Sequence, residues 1–435
     1  MVAPSSISTA ELAEKINKHL GLKFEDKNSA WSVLDSPISG RGVFAARDIA
    51  PGEIILRDTA LLAGPKASDA SILNICVVCC ALLQESDHEK IMCPKGCAMP
   101  VCNTCADSET HATECELLRH WKPKDGKNIN FHCVRLISIV RCFFLGDLQR
   151  QLLYALQANS DKYYRAELQK AMAGFEQFPK DRKMLEYFYR TICIFNTNSF
   201  EGDCKVNGAE VRVRALFPLA SLINHQCTPN ADHYFENAQT IIITATRPIK
   251  QGEEIVTSYT KLLWSTLTRK MFLFMTKHFM CSCQRCLDPT ENGTYLSALF
   301  CRAQGCKGIV IPVQTKTLQP DWRCTTCESV FPHSKMARYQ DFALNTINNR
   351  INKGSVAEMI TFINDMCPRF CPSSNYVLVE AKLNVIWRMS RPTTEEFNED
   401  HLKCKERYKE EIVALLEKLG AGDCTLKKLI TEEIL

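Results

Sequence analysis

Fifteen side chains of metal-ligand type fall in three clusters. The first reads Cys76-x2-Cys79, Cys93-x3-Cys97, Cys102-x2-Cys105 and His111-x3-Cys115. The second is Cys281-x-Cys283-x2-Cys286. The third is Cys301-x4-Cys306, then 17 residues, then Cys324-x2-Cys327. Zinc takes four tetrahedral nitrogen or sulfur ligands, and a short gap lets two thiolates of one turn face one ion. Eight ligands in the first cluster make two sites, and their pairs can close consecutively or interleave. The second and third pairs lie so close in sequence that a compact cross-braced module is expected. Such a segment, about 40 residues long, has few apolar side chains, so its zinc would be structural. The third quartet reads as a zinc ribbon with an unusually long first gap. Nine of the other ten cysteines (80, 133, 142, 193, 204, 367, 371, 404 and 424) read as small buried hydrophobes.

The chain has 24 cysteines. Its N-terminus has no basic segment followed by an apolar core, so metal ligation is expected instead of disulfides. A composition of 46% apolar and 23% charged residues excludes a mainly disordered chain, a collagen and a coiled-coil rod. No apolar run reaches the 18 or so residues of a membrane span, so no membrane partner is expected. Fifty-three bases against 49 acids leave a net charge of only +4, which does not favour direct nucleic-acid binding.

At roughly 150 residues per domain, 435 residues make about three units. Residues 1–25 read as a helix, because Leu12, Ile16 and Leu20 recur every four residues. Short strands are expected near 31–34, 43–46 and 54–56, punctuated by Gly40, Gly42 and Pro51-Gly52. Residues 130–195 read as helical, with Val134, Ile137, Val140 and Phe144 on one face. Strands return at 240–246 and 254–258. A helix is expected over 264–279, and the chain after 335 reads as helical.

Three further segments carry chemistry. They are Gly40-Arg41-Gly42 opening GRGVFAARDI, Asn224-His225-Gln226-Cys227-Thr228-Pro229-Asn230, and Gly252-Glu253-Glu254-Ile255-Val256-Thr257-Ser258-Tyr259. Each alone has an ordinary structural reading: a turn, a core histidine, a strand tyrosine. In this order, followed by CxCxxC, they resemble a SET domain with its post-SET zinc site. The first cysteine cluster resembles an inserted MYND finger. Together they are similar to the SET- and MYND-domain (SMYD) family, and residues 286–295 with the quartet after them look more like its arthropod branch. The likeness covers roughly residues 28–330.

The resemblance implies an S-adenosylmethionine-dependent protein-lysine methyltransferase acting on a histone or non-histone protein. The acceptor amine must be neutral to attack, although its free pKa is about 10.4. A narrow aromatic channel disfavours the charged form and aligns the nucleophile with the sulfonium. By resemblance, Tyr259 is the catalytic tyrosine that also faces the cofactor. Gly40, Arg41, Gly42, Asn198, Asn224, His225 and Phe279 would hold the cofactor, with Phe279 on the adenine. Asn198 reads equally as a capping residue and Phe279 as core. The resemblance also adds Cys227 to Cys281, Cys283 and Cys286 as a closed four-thiolate site, for about four zinc ions per chain.

The pattern departs from the family in places. Active members carry an aromatic hydroxyl two residues before the adenine-packing ring, and here that position is Lys277. Its amine would either fold away to solvent or point into the channel and oppose both the sulfonium and a protonated substrate. Arg41 stands where some members place a neutral residue. The gaps of the second and third finger pairs are swapped. The run 261–286 holds Lys261, Arg269, Lys270, Lys277 and Arg285 with no acid; it reads either as a surface for an acidic partner or nucleic acid or, better, as bases offsetting a four-thiolate zinc site of net charge −2.

The expected fold is α+β: a split SET-type β fold with an inserted MYND zinc finger and helical block, a post-SET zinc site and a helical C-terminal domain. The expected units are 1–27 (N-terminal helix), 28–70 and 201–262 (the two SET parts), 71–118 (MYND finger), 119–200 (helical insertion), 263–290 (post-SET), 291–334 (ribbon-like) and 335–435 (helical domain). The rival function is an inactive SET scaffold whose finger docks proline-containing peptides as a transcriptional corepressor. A monomer in the cytoplasm, the nucleus or both is expected.

Overall fold

The computed structural model describes residues 7–22, 29–66, 74–83, 92–124, 131–313, 316–349, 353–391 and 394–432. In chain order come α1 (Thr9–His19), β1 (Trp31–Asp35), β2 (Arg41–Ala45), β3 (Ile54–Thr59) and β4 (Leu62–Pro65). The finger contributes α2 (Asn103–Ala106) and α3 (Glu109–His120). The helical block is α4 (Phe131–Val140), α5 (Asp147–Ala155), α6 (Lys162–Ala173) and α7 (Arg182–Asn198). Then follow β5 (Phe200–Val206), β6 (Ala209–Leu216), β7 (Asn224–His225), β8 (Ala231–Asn237), β9 (Thr240–Ala245), β10 (Glu254–Thr257), α8 (Thr266–Lys277) and α9 (Gln284–Leu287). The ribbon is β11 (Leu299–Phe300), β12 (Ile309–Pro312), β13 (Trp322–Cys324) and β14 (Val330–Phe331). The tail is α10 (His333–Asn349), α11 (Val356–Thr361), α12 (Tyr376–Ser390), α13 (Glu399–Lys418) and α14 (Thr425–Thr431).

The N-terminal helix is shorter than its periodicity suggested. Ser8 caps it by accepting from Glu11 N, it buries Leu12 and Ile16, and it ends at His19. The capping serine and the last-turn bases decide its ends, not the apolar spacing.

Strands from both sides of the finger and the helical block pair with one another. One sheet runs β1-β2-β10-β7, a second β3-β9-β8 and a third β4-β6-β5. Pairing across some 200 residues means that the finger and helices are insertions into one β fold. One apolar core runs from Leu12 to Ile255, and a second from Leu263 to Ile430 fills the ribbon and the helical tail. In the insertion, the buried Trp121 ring packs on Phe178 at 4.6 Å and Phe175 at 5.4 Å. Buried Glu114 of the finger accepts from Arg141 Nε at 2.6 Å, and Arg141 also donates to Val77 O at 2.8 Å. That ion pair fixes the finger to the helical block.

The tail touches the β fold at Gly422, whose φ is +58°. A Cβ there would lie 2.0 Å from Thr246 O, so only glycine lets the chains approach. Asp423 N then donates to Thr246 O at 2.8 Å. Among the described residues no helix is long and apolar enough to cross a membrane.

Candidate active site and metal centres

The structure answers the question of pairing in the first cluster. Cys76, Cys79, Cys102 and Cys105 converge on one point, and Cys93, Cys97, His111 and Cys115 on another. The first pair therefore joins the third and the second joins the fourth, which is a cross-brace. Four thiolates around zinc at 2.3 Å stand about 3.8 Å apart. The Cys79–Cys102 and Cys93–Cys115 sulfurs are 3.8 and 3.7 Å apart, and His111 Nε2 is 3.2 Å from Cys93 Sγ. The swapped gaps leave both quartets intact.

The ribbon quartet closes as well. Cys301 and Cys327 sulfurs are 3.7 Å apart, as are Cys306 and Cys324. Cys227, Cys281, Cys283 and Cys286 also converge, with Cys227 Sγ 3.9 Å from Cys281 Sγ and 3.4 Å from Cys286 Sγ. Four sets of four ligand atoms, each set within 4.8 Å, suit four zinc ions. Of the scattered cysteines, those at 80, 142, 193, 204, 371 and 424 are buried and Cys404 is half-buried. The side chains at 133 and 367 lie outside the described residues.

Bases do surround the post-SET site, but not as a solvated patch. Arg269 is fully buried; its Nε donates to Cys227 Sγ at 3.3 Å and its Nη1 to Glu291 Oε2 at 2.9 Å. Arg285, also buried, donates to Cys227 O at 3.0 Å and lies 3.6 Å from Glu291. Burial alone would raise the Glu291 carboxyl, but the two guanidiniums hold it below the usual range. Lys261 instead pairs with Glu380 of the tail at 3.0 Å.

The three sequence segments meet in one sheet. In β2 against β10, Phe44 faces Glu254 and Val43 faces Ile255. β10 runs parallel to β7, setting Val256 beside Asn224 and Thr257 beside His225. Buried Asn230 locks this arrangement: its amide donates to Glu254 O at 2.8 Å and its Oδ1 accepts from Val256 N at 2.8 Å. Upstream, buried Asp58 of β3 accepts from Leu219 N at 2.7 Å and Ala220 N at 2.8 Å, aiming the chain into the motif.

Gly40, Arg41, Asn198, Asn224, His225, Tyr259 and Phe279 all line one cavity of about 1750 Å³. Gly42 does not line it. A Cβ at Gly42 would meet Glu254 Oε1 at 2.4 Å, so this glycine makes room for a carboxylate, whereas Gly40 supplies a backbone at φ +54°. Asn224 spends its side chain within the protein, donating to Glu254 Oε1 at 2.7 Å, Arg41 O at 3.1 Å and Ser36 Oγ at 3.1 Å. It thus ties the glycine segment to β10. Asn198, last in α7, donates to Ile194 O and Gln157 O, both at 2.7 Å, which combines a capping role with a place on the cavity wall. Phe279 is 36% exposed, so it is a cavity ring and not core.

His225 is held down to about 4 by burial, and Nδ1 accepts from Tyr259 N at 3.0 Å. Nε2 lies 3.2 Å from Cys227 Sγ, so the neutral ring spans the cavity and the Cys227 quartet. Tyr259 donates its hydroxyl to Ile223 O at 2.6 Å, and burial, then the Glu254 charge, keeps the phenol protonated.

Lys277 points inward. Its Nζ donates to Thr197 O at 2.6 Å and sits 5.6 Å from the centre of the Tyr259 ring. Burial first, and the Arg214 charge second, push its amine down to about 8. The solvent-facing placement is excluded. Sequence reasoning did not single out Ser36, Glu254, Arg269, Arg285, Glu291 or Thr197 as site residues. Only the acid-free basic run hinted at the arginines.

Residues 40–260 match the SET domain model. The chain is 62% identical over 429 residues to the Drosophila melanogaster "SET domain-containing protein SmydA-8, isoform B", covering 99% of this chain and 96% of that protein. Isoform A of the same fly protein is 54% identical, over 100% and 94%. The human "Histone-lysine N-methyltransferase SMYD3" is 29% identical over 59% of this chain and 61% of that enzyme. With its strands joined around a cross-braced finger and closed by the Cys227 quartet, the chain belongs to the SET-domain proteins of the SMYD family, in their arthropod branch.

Proposed function

We propose that this chain is an S-adenosylmethionine-dependent protein-lysine methyltransferase. The observation that carries the reading is the single cavity shared by Gly40, Arg41, Asn198, Asn224, His225, Tyr259 and Phe279. The SMYD3 relatives, named as histone-lysine N-methyltransferases, support it.

S-adenosylmethionine would supply an activated methyl on a sulfonium. The rest falls to the chain's own groups. Asn224 holds the glycine segment on β10, which leaves the Gly40–Arg41 backbone and the β7 edge as cofactor surface. The neutral His225 ring and Phe279, 6.0 Å apart and tilted 54° to one another, offer ring surface on which a base can pack. Tyr259, anchored to Ile223 O, is one wall of the acceptor channel and presents its π face to a cation. Removing water from this aromatic wall favours the neutral acceptor amine. The post-SET quartet fixes this wall through Cys227, two residues from His225.

The inward Lys277 favours one second reading, an inactive SET scaffold whose finger serves protein interaction. A cation on the acceptor side opposes a second cation there. Calorimetric titration of the full chain with S-adenosylmethionine separates the readings at the first step. A methyltransferase binds one equivalent, and absence of binding would overturn the proposal.

A further inference from the structure

Resting on the methyltransferase reading, we infer that Lys277 is itself a methyl acceptor: the chain methylates its own active-site lysine from S-adenosylmethionine.

The seat of this amine is unlike that of Lys382, one of the chain's buried lysines. Lys382 Nζ is neutralised by Glu411 Oε2 at 2.5 Å and held by Ser373 O at 2.7 Å. Lys277 has no carboxylate within ion-pair distance among the described residues. It has one backbone carbonyl, Thr197 O, and the face of one aromatic ring, Tyr259. A carbonyl and an aromatic face attract the ammonium without the full charge of a carboxylate, so burial still brings the nitrogen towards its neutral, nucleophilic form. The backbone beneath is clamped, because Asn159 donates to Lys277 O at 3.2 Å and the helix ends at His278 with φ +61°. The stem therefore enters the cavity from a fixed base. It enters the cavity that Asn224, His225 and Phe279 line, so the amine and the cofactor surface share one space.

In the transfer, the neutral Nζ lone pair forms a bond to the methyl carbon as the methyl–sulfur bond breaks. S-adenosylhomocysteine leaves, and the extra amine proton passes to solvent through the open cavity. The charged groups facing Lys277 are Arg214 from β6, which favours the neutral amine, and Glu201 from β5, which opposes it. Lys277 methylation should therefore quicken as pH rises to about 8 and level off above it.

The test incubates full-length protein with S-adenosylmethionine carrying a deuterated methyl group. Peptide mass spectrometry then locates the label, with and without a cell extract as external acceptor. Expected is label on Lys277 with a half-time unchanged by dilution, lost in Lys277→Arg. A half-time that lengthens on dilution would mean transfer between molecules and overturn the inference. Label on extract proteins but none on Lys277 overturns it while the methyltransferase reading stands. No label anywhere overturns both. A second readout needs no turnover: acetylation of Lys277 by a small anhydride should slow when S-adenosylhomocysteine is added. Unchanged reactivity would place the amine away from the cofactor surface and also overturn the inference.

Discussion

Arg269 donates its Nε to the sulfur of Cys227 at 3.3 Å, while its Nη1 holds the buried Glu291 carboxylate at 2.9 Å. A single guanidinium thus offsets thiolate charge and completes a buried ion network behind the cavity wall. Removing one member of such a pair leaves an uncompensated buried charge and costs about 3–5 kcal/mol. Arg269→Met should therefore lower the denaturation midpoint sharply. It should also reduce retained zinc, measured by elemental analysis of the same sample. An unchanged midpoint would show that the network contributes little.

Each ligand quartet should hold one zinc ion, so purified chain should carry close to four equivalents. Cys301→Ser should lower the count by one and leave the SET core folded, because the ribbon lies in the second apolar core. A count of two or fewer in intact protein would refute the assignment.

Asn224→Ala removes an amide that donates to the Glu254 carboxylate and to Arg41 O. One hydrogen bond to a charged group contributes roughly 1.5–3 kcal/mol. The glycine segment then loses its tie to β10, and S-adenosylmethionine affinity should fall about tenfold or more by calorimetry. Unchanged affinity would mean that the cofactor surface lies elsewhere.

Asp58 gives the fold a pH dependence. Burial pushes its carboxyl up to about 7, although Ala220 N and Leu219 N bond to the ionised form. Its ordinary value is near 3.8, so between these values the folded chain binds more protons than the unfolded one. Its contribution is full below about 4 and is lost as pH rises through about 7. Asp58→Asn should flatten that part of the stability profile, read from denaturation midpoints at several pH values. An unaltered slope would assign it to other groups.

The sequence showed some of this and hid the rest for physical reasons. Cysteine spacing is local, so the ligand pairs could be read directly, whereas Cys227, 54 residues before Cys281, came only from the family resemblance. The closeness of the second and third pairs pointed to a cross-brace, but its closure depends on how the Met92–Pro100 bridge and α3 fold back. The three segments that meet in one sheet could be grouped by their order. That Gly42 accommodates Glu254, or that Asn224 braces the glycine segment, depends on register between strands some 200 residues apart. The basic run 261–286 suggested charge compensation, but its partner Glu291 lies beyond the run and only the fold brings it in. Lys277 was visible as a departure from the family. Its direction was not, because Thr197 and Tyr259, which seat it, come from distant parts of the chain.

Methyl transfer from labelled S-adenosylmethionine to the proteins of a cell extract, followed by mass spectrometry, is the most direct measurement of function. Wild type should label extract lysines slowly, and Tyr259→Phe should lose about tenfold of that rate as the hydroxyl that anchors the channel wall to Ile223 O disappears. Lys277→Tyr should gain, because it exchanges a cation for an aromatic wall. Wild type, Tyr259→Phe and Lys277→Tyr all failing to transfer, with S-adenosylmethionine still bound, would contradict lysine methylation by this chain and leave the SET fold as a scaffold.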